Sequence, residues 1–398
     1  MNNAVIEGGI YVYGDIGIFL TGNNISFGSI RSENGSMIIY GYGSISVSRI
    51  DKNGFYDSLY PGAITAKGGA LSICMGASIT VKEPAGIGLF GGDSVLISES
   101  TVGVYGGGNC GIFSYENVSI LGAAVAISAN CDGIEAQGGG GVVIDGSVIN
   151  IFSRYEGIEG YAGISITHSY VSVVTVQDDK TCEALRAFMG YDAELLIDNS
   201  VVKLLSKGAG SISADKVTFG EGDYYCAAAD PSYSGDSVID ADDVLIKGGN
   251  LQICLANEDR SAVNTYHFQI DAGRLEIVDK VDVRGFLKFD AAAAAVYTGA
   301  LASGIDVTSL MANFYSQVIL DAISNAKIGD LKGVPSVGIE CGTYTQNCGT
   351  VWCDLPKYGV ALWSTRNNPI INGGSCNGQF YYDSNLISPV NSRGSALK

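Results

Sequence analysis

Proline, histidine and basic residues are scarce in this chain of 398 residues. It has 7 prolines and 2 histidines, and 23 Lys and Arg stand against 41 Asp and Glu, for a formal net charge of −18. Proteins that bind nucleic acid need a basic face for the phosphates, so this balance argues against a nucleic-acid partner. It also disfavours anionic membrane surfaces, and it permits cation binding.

Long apolar runs are absent as well. No stretch reaches the roughly 18 apolar residues that a membrane span needs, so we expect no membrane insertion. Met1, Asn2 and Asn3 lack the charged and apolar regions of a signal peptide. The chain enters strand-like sequence by Ile10, and we therefore expect it to have been cut from a longer precursor.

Glycine is abundant, with 55 residues, and it punctuates a repeat. Across residues 62–208 a Gly-Ile-like start returns every 22 to 27 residues. Short bursts of alternating apolar residues follow each start, as at 134–136, 142–144 and 148–152, with the period of a half-buried strand. Three strands in each turn predict an all-β fold, a right-handed parallel β-helix. The starts are Gly62, Gly86, Gly111, Gly133, Gly157 and Ala184.

Two regions follow from this pattern. We assign residues 1–290 to the β-helix and residues 291–398 to a C-terminal cap or accessory region. Apolar residues at Leu310, Phe314 and Val318 have helical spacing and predict a helix over about 307–326. A cap would protect the open end of a β-helix from aggregation. The last part of the chain is compatible with further rungs.

Aligning the rungs on their starts produces two columns of mostly acidic residues. One column stands immediately before the start, and the other stands two residues after it. The members are Asp132, Glu156 and Glu183 in the first column, and Glu135, Glu159 and Arg186 in the second. Because strand residues alternate, Ile134 and Ile158 should point inward, and Glu135 and Glu159 should face solvent.

Stacked carboxylates repel one another, at a cost on the order of 1 to 3 kcal/mol per pair at about 5 Å. Arg154 and Arg186 would neutralise part of this charge. Ca²⁺ would neutralise more, because it accepts six to eight oxygen ligands, backbone carbonyls included. We therefore predict a calcium site on the ridge that the stacked carboxylates of the two columns form. The alternative is a solvated acidic face.

The residues Asp132–Ala136 (DGIEA), followed by 143–151 (VIDGSVINI), carry a resemblance. They are similar to the repeat of the secreted bacterial carbohydrate-binding β-helix family, D-G-I-x-A followed by I-x-G-G-x-x-x-I. The resemblance implies calcium and polygalacturonate as ligands and an extracellular or cell-surface location. It carries calcium-binding roles to Asp132, Glu135, Glu156 and Glu159. Glu replaces Asp at most of these positions.

The resulting hypothesis is a carbohydrate-binding or adhesion module in which calcium bridges protein and uronate carboxylates. Arg154 and Arg186 and the tyrosines Tyr155, Tyr161 and Tyr191 are the candidate sugar contacts, since a tyrosine offers a flat face and a hydroxyl. Tyrosine is also a common strand residue, so structural roles stay open.

Two alternatives remain open. Parallel β-helices include polysaccharide lyases, which combine calcium with a basic residue, so Arg154 and Arg186 keep an enzyme possible, although we favour a non-enzyme. Asp240, Asp242 and Asp243 form the best acidic group for a glycosidase, with a turn as the simpler interpretation. The second alternative is a structural surface stalk or fibre module.

The ten cysteines match no zinc-ribbon or CxxC spacing. Cys110 and Cys131 lie at nearly the same place before successive rungs, and we interpret them as buried thiols, with a disulfide as the alternative. The four cysteines of the tail are better candidates for disulfides. They are Cys341, Cys348, Cys353 and Cys376.

Overall fold

The computed structural model shows the predicted parallel β-helix. It describes residues 1–48, 62–82, 86–106, 108–177, 182–187, 192–208, 210–229, 237–256, 261–298, 307–332, 337–353, 360–377, 379–382 and 385–386. The chain divides into two compact units. The first unit contains Met1–Val173 and Phe289–Ile319, and the second contains Val174–Lys288 and Leu320–Lys398. The boundary near residue 290 and the capping role of the tail stay predictions.

In the first unit each turn contributes three strands, one to each face of the β-helix. The strands of the first face are Ile10–Val12, Ile30–Ser32, Gly62–Ala66, Ile87–Gly91, Ile112–Ser114, Ile134–Ala136 and Ile158–Gly160. Those of the second face are Ile16–Leu20, Met37–Gly41, Leu71–Cys74, Ser94–Ser98, Asn117–Leu121, Val142–Asp145 and Gly163–Thr167. Those of the third face are Val5–Ile6, Asn23–Ser26, Ser44–Ser48, Ser78–Lys82, Thr101–Tyr105, Ala124–Ala129, Val148–Ser153 and Tyr170–Thr175, the last of which ends beyond the unit.

In the second unit the first two faces merge into longer strands, as Ile212–Phe219 pairs in parallel with both Leu185–Ala187 and Glu194–Asp198. The chain returns to parallel strands after the helical segment. The remaining strands are Ser200–Ser206, Gly222–Ala228, Ile239–Ile246, Asn250–Leu255, Ser261–Ile270, Arg274–Val278, Lys280–Val281, Leu331–Lys332, Val337–Gln346, Thr350–Cys353, Val360–Ser364, Ile370–Ile371, Ser375–Cys376, Gln379–Tyr382 and Asn385–Leu386.

The core of the first unit is a stack of aliphatic side chains inside the coil. Ile112, Ile134 and Ile158 pair in register on successive turns, and all three are fully buried. The same register corrects two predicted rung starts. Ile64 is the partner of Leu89, so Ala63 rather than Gly62 is equivalent to Gly88. Leu89 is the partner of Ile112, so Gly88 rather than Gly86 is equivalent to Gly111. The strand of this turn begins at Ile87, two residues before the partner of Ile112. Aligning Gly86-Ile87 with Gly111-Ile112 therefore places the turn two residues out of register.

The predicted helix over about 307–326 is helical in three consecutive segments. These are Val307–Phe314, a π-helical turn at Tyr315–Ile319, and Leu320–Asn325. Two shorter helices precede them, Val283–Leu287 and Ala291–Tyr297. Within the described residues, no helix is both long and apolar enough to cross a membrane.

Within the first unit the helical residues pack against the side of the strands. Phe314 lies against Tyr105 with ring centroids 6.1 Å apart, and Phe289 meets Tyr170 edge-on at 5.2 Å. The Asp290 backbone N–H also donates to the Tyr170 hydroxyl at 3.2 Å. The strand Ala124–Ala129, whose outward residues Ala124 and Ala126 are fully buried, is covered in the same way.

All ten cysteines lie in described residues, and all ten are free thiols. The disulfides expected among Cys341, Cys348, Cys353 and Cys376 are therefore wrong. Cys341 and Cys353 are buried inside strands that stack in parallel, and burial raises the pKa of the Cys341 thiol to about 12. These thiols behave as small apolar core residues.

Candidate functional site

Four of the predicted acidic residues come together on neighbouring turns of the first unit. Glu135 and Glu159 are direct partners in the parallel register of the first face. Asp132 and Glu156 immediately precede the strands that hold Glu135 and Glu159, and the Glu156 backbone N–H donates to Asp132 Oδ1 at 3.2 Å. The two columns predicted from the rung alignment therefore form one cluster of carboxylates.

The predicted solvent exposure of this cluster is wrong. Asp132, Glu135 and Glu159 are each 7% exposed and Glu156 is 8% exposed. Glu135 does point away from the coil interior, but its register partner on the previous turn is Phe113, which is itself buried. An outward residue is thus enclosed by its neighbours instead of facing water.

Both columns change from apolar to acidic along the coil. Phe90 and Phe113 stack with centroids 5.7 Å apart in the column that continues with Glu135. These rings form an apolar cluster with Ile87 and Cys110, and Tyr115 packs on it. The carboxylates therefore border a region of low dielectric, in which unpaired charge is costly.

Two thiols sit among the carboxylates. Cys110 Sγ lies 3.1 Å from Glu135 Oε2 and 3.6 Å from Asp132 Oδ2. Cys131 Sγ lies 3.3 Å from the same Asp132 Oδ2. The second oxygen of Glu135 accepts a hydrogen bond from Gln137. We call Cys110, Cys131, Asp132 and Glu135 the thiol–carboxylate cluster.

The pKa values of the cluster reflect its burial and its crowding. Burial, followed by the hydrogen bond and charge of Glu156, raises the pKa of Asp132 to about 10. The contact between the two thiols raises the pKa of Cys110 and lowers that of Cys131 to about 6. The site therefore holds protons in places where an isolated carboxylate would hold none.

The other predicted contacts are placed differently. Arg154 is exposed, and Tyr155 and Tyr161 are half-buried. Glu183 and Arg186 belong to the second unit, where both are half-buried and Arg186 pairs in register with Ser213. Tyr191 lies outside the described residues.

The donors of the thiol–carboxylate cluster do not fit the calcium that the resemblance implies. Ca²⁺ takes six to eight oxygen ligands and no sulfur, whereas two of the four donors here are thiols. A polymer also cannot reach carboxylates that are only 7% exposed. Bridging of a uronate chain through these residues is therefore not supported by their geometry.

Cys110 and Cys131 are site residues that the sequence analysis interpreted as buried thiols, with a disulfide as the alternative. Both are free thiols, Cys110 buried and Cys131 half-buried. One signal could have found Cys110, since it stands immediately before Gly111 as Asp132 stands before Gly133. The register confirms that equivalence, because Ile112 pairs with Ile134. A thiol thus occupies the column position that the next two turns give to carboxylates.

The acidic triplet considered for a glycosidase lies inside a strand, Ile239–Ile246, and not in a turn. Asp240 accepts a hydrogen bond from Asn264 at 3.1 Å, and Asp243 lies 2.7 Å from His267 Nδ1. Each pair joins neighbouring strands on adjacent turns of the second unit.

A partly exposed apolar surface lies on the second face of the first turns and on the turns that follow its strands, and we call it the aromatic face. It consists of Phe19, Ile38, Tyr40, Tyr42 and Met75. Phe19 and Tyr40 are register partners with ring centroids 5.2 Å apart, and Phe19 is 45% exposed. Ile38 (41%), Tyr42 (82%) and Met75 (49%) extend this surface.

No protein family, curated protein or solved structure matches the chain in the three comparisons made. The class that fold and site define is a parallel β-helix with a buried thiol–carboxylate cluster and an exposed aromatic face.

Proposed function

We propose that this protein is a carbohydrate-binding or adhesion module, and that the aromatic face is its sugar-binding surface. The observation that carries the proposal is the pair of Phe19, an exposed ring, and Tyr40, a half-buried ring, whose centroids lie 5.2 Å apart on adjacent turns. Sugars stack their C–H faces on aromatic rings and bind hydroxyls through groups such as the tyrosine O–H. Adjacent rings on adjacent turns suit an extended polymer.

The polymer is expected to be a polysaccharide, with polygalacturonate as the first candidate from the resemblance. Because the protein carries a formal net charge of −18, an acidic polymer would be repelled at low salt. Calcium dependence is therefore part of the prediction for acidic polymers, and a neutral polymer should need no cation. Nucleic acid is not an expected partner, for the same reason of charge.

An extracellular or cell-surface location belongs to the same proposal. Ten free cysteines fit a reducing compartment better than an oxidising one, since secreted proteins usually pair their thiols. The location therefore rests on the repeat resemblance and on the proposed ligand.

The test is retention of the protein in gels or on beads that carry polysaccharides, among them polygalacturonate, with calcium and with a chelator. We expect retention on at least one polysaccharide, and a loss of about tenfold or more in affinity for Phe19→Ala with Tyr40→Ala, since each ring contributes about 1 kcal/mol. Trp352→Ala is the matched control, because Trp352 is similarly exposed (49%) but lies in the second unit.

Three results would contradict the proposal. Retention by the double variant equal to that of the unmodified protein would remove the aromatic face from the mechanism. Unsaturated product from polygalacturonate, seen as new ultraviolet absorbance, would make the protein a polysaccharide lyase. Absence of retention on every polysaccharide would favour a structural stalk or fibre module.

A further inference from the structure

The thiol–carboxylate cluster has a geometry that the proposed sugar binding does not use. Cys110 Sγ and one carboxylate oxygen each from Asp132 and Glu135 all lie within 4.8 Å of one another. Cys131 Sγ, 3.3 Å from Asp132 Oδ2, adds a fourth donor on the same side. Two turns of the β-helix thus bring two sulfur and two oxygen donors into one cluster, and three of the four lie within 4.8 Å of one another.

Three of the separations between these donors are close to the edge lengths of a small tetrahedron. Zinc–sulfur bonds are about 2.3 Å and zinc–oxygen bonds about 2.0 to 2.2 Å, so the sulfur–oxygen edges of a tetrahedral site are about 3.5 Å. The three sulfur–oxygen separations in the cluster are 3.1, 3.3 and 3.6 Å.

Charge and burial also favour a cation. Within the described part of the chain, no basic side chain forms an ion pair with Asp132 or Glu135. Both carboxylates are 7% exposed and border the apolar cluster of Phe90 and Phe113. Buried charges are normally paired or bind metals, so negative charge here requires either a proton or a metal ion.

We propose that Cys110, Cys131, Asp132 and Glu135 bind a thiophilic divalent metal ion, with Zn²⁺ as the expected ion. Thiolates select such ions over Ca²⁺ and Mg²⁺, which prefer oxygen ligands only. Four protein donors leave no open position, and this is typical of structural zinc sites. On binding, the thiol protons and any proton on the carboxylates pass to solvent, and the metal takes their place.

The metal would tie two consecutive turns together at the place where the columns change from aromatic to acidic. Cys110 lies on one turn, and Cys131, Asp132 and Glu135 lie on the next. The site shares no residue with the aromatic face, so the metal-binding proposal can be tested independently of the sugar-binding proposal.

The experiment uses the full chain, purified with reductant and stripped of metal. Zn²⁺ is titrated in competition with a chromophoric chelator, and Co²⁺ is added separately as an optical probe. We expect one equivalent of Zn²⁺, no displacement by a large excess of Ca²⁺, and near-ultraviolet thiolate-to-cobalt absorbance with visible bands of tetrahedral Co²⁺. Zn²⁺ should also raise the melting temperature, and Ca²⁺ should not.

Cys110→Ser with Cys131→Ser should lose more than about 100-fold in zinc affinity, since outer partners alone account for 10- to 100-fold. Cys348→Ser, at an exposed cysteine of the second unit, is the matched control and should bind as the unmodified protein does. Glu135→Gln, which keeps both thiols and nearly the same shape, should weaken zinc binding while leaving the circular dichroism spectrum unchanged.

Unchanged zinc affinity in the double cysteine variant would overturn the proposal, as would Ca²⁺ binding in preference to Zn²⁺. A Cys110–Cys131 disulfide in protein kept under reductant would overturn it too. Retention on polysaccharide is measured on the same variants, and loss of zinc binding without loss of retention is the expected pattern.

Discussion

Gly133→Ala should destabilise the protein strongly, although it adds only one methyl group. A Cβ atom at Gly133 would lie 2.4 Å from the carbonyl oxygen of Gly157 and 2.4 Å from Ile151 Cγ2. Neither neighbour can move freely, because one is backbone of the next turn and the other is a buried core side chain. We expect a loss of about 3 kcal/mol in the free energy of unfolding, at the upper end of the range for overpacked cores.

The same clash recurs at equivalent positions, so the effect should not be confined to one turn. At Gly88 a Cβ atom would lie 2.5 Å from the carbonyl oxygen of Gly111 and 2.6 Å from Val104 Cγ1. Gly88→Ala should therefore lose as much stability as Gly133→Ala. Because Gly88 is further from the carboxylates, it separates the packing effect from any effect on bound metal.

The measurement is the midpoint of urea unfolding in metal-free buffer. Gly14→Ala is the control, because no atom lies within 4 Å of a Cβ built there and its φ is not positive. It should stay within about 0.5 kcal/mol of the unmodified protein. If Gly133→Ala and Gly14→Ala unfold at the same urea concentration, the prediction that successive turns leave no room for a Cβ atom at Gly133 is wrong.

This close approach explains why the fold could be predicted from the sequence. At Gly88, Gly111 and Gly133 the close spacing of the turns leaves no room for a Cβ atom, so glycine recurs at these three starts with the period of the coil. Gly111 and Gly133 each donate a backbone N–H to the next turn, to the carbonyl oxygens of Asp132 and Glu156. A short period combined with alternating apolar residues therefore identifies the coil and most of its register.

The environment of the site was harder to predict, for a physical reason. Alternation determines whether Glu135 points inward or outward, but its exposure depends on what stands above it in the same column. Phe113 and Phe90 occupy those places, and they enclose an outward carboxylate. The packing of the helical segment could not be predicted either. The spacing of apolar residues at 307–326 predicts a helix, but it does not indicate which surface the helix covers.

Cysteine has two roles that sequence alone cannot separate. In a core column a thiol is a small apolar group, and Cys226 and Cys254 have this role in the second unit. Beside carboxylates it can instead serve as a metal ligand, the role proposed for Cys110. Only the register shows that Cys110 belongs to the column of Asp132, and the contact at 3.6 Å follows from it.

Asp132→Asn should stabilise the metal-free protein at and above neutral pH. Burial, followed by the neighbouring Glu156, raises the pKa of Asp132 to about 10, whereas a carboxyl in an unfolded chain titrates near pH 4. Between these values the folded protein holds a proton that the unfolded chain releases. Stability therefore falls as pH rises through this window, and it is highest below about pH 4 as far as this group alone is concerned.

Asparagine is neutral at every pH and has nearly the same shape, so its oxygen can still accept from the Glu156 backbone N–H. In chelator-treated protein near pH 8 we expect Asp132→Asn to raise the free energy of unfolding by about 2 kcal/mol. Its slope against pH should also be flatter than that of the unmodified protein. Urea unfolding at a series of pH values measures both quantities.

Asp145→Asn is the matched control, with the opposite sign. Burial acts to raise the pKa of Asp145, but hydrogen bonds from His168 and Thr167 outweigh it, and the pKa is lowered. A lowered carboxyl pKa contributes stability above the unfolded value that is lost as pH falls, so this variant should be slightly less stable near neutrality. If Asp132→Asn does not raise the free energy of unfolding at pH 8, the raised pKa of Asp132 is wrong.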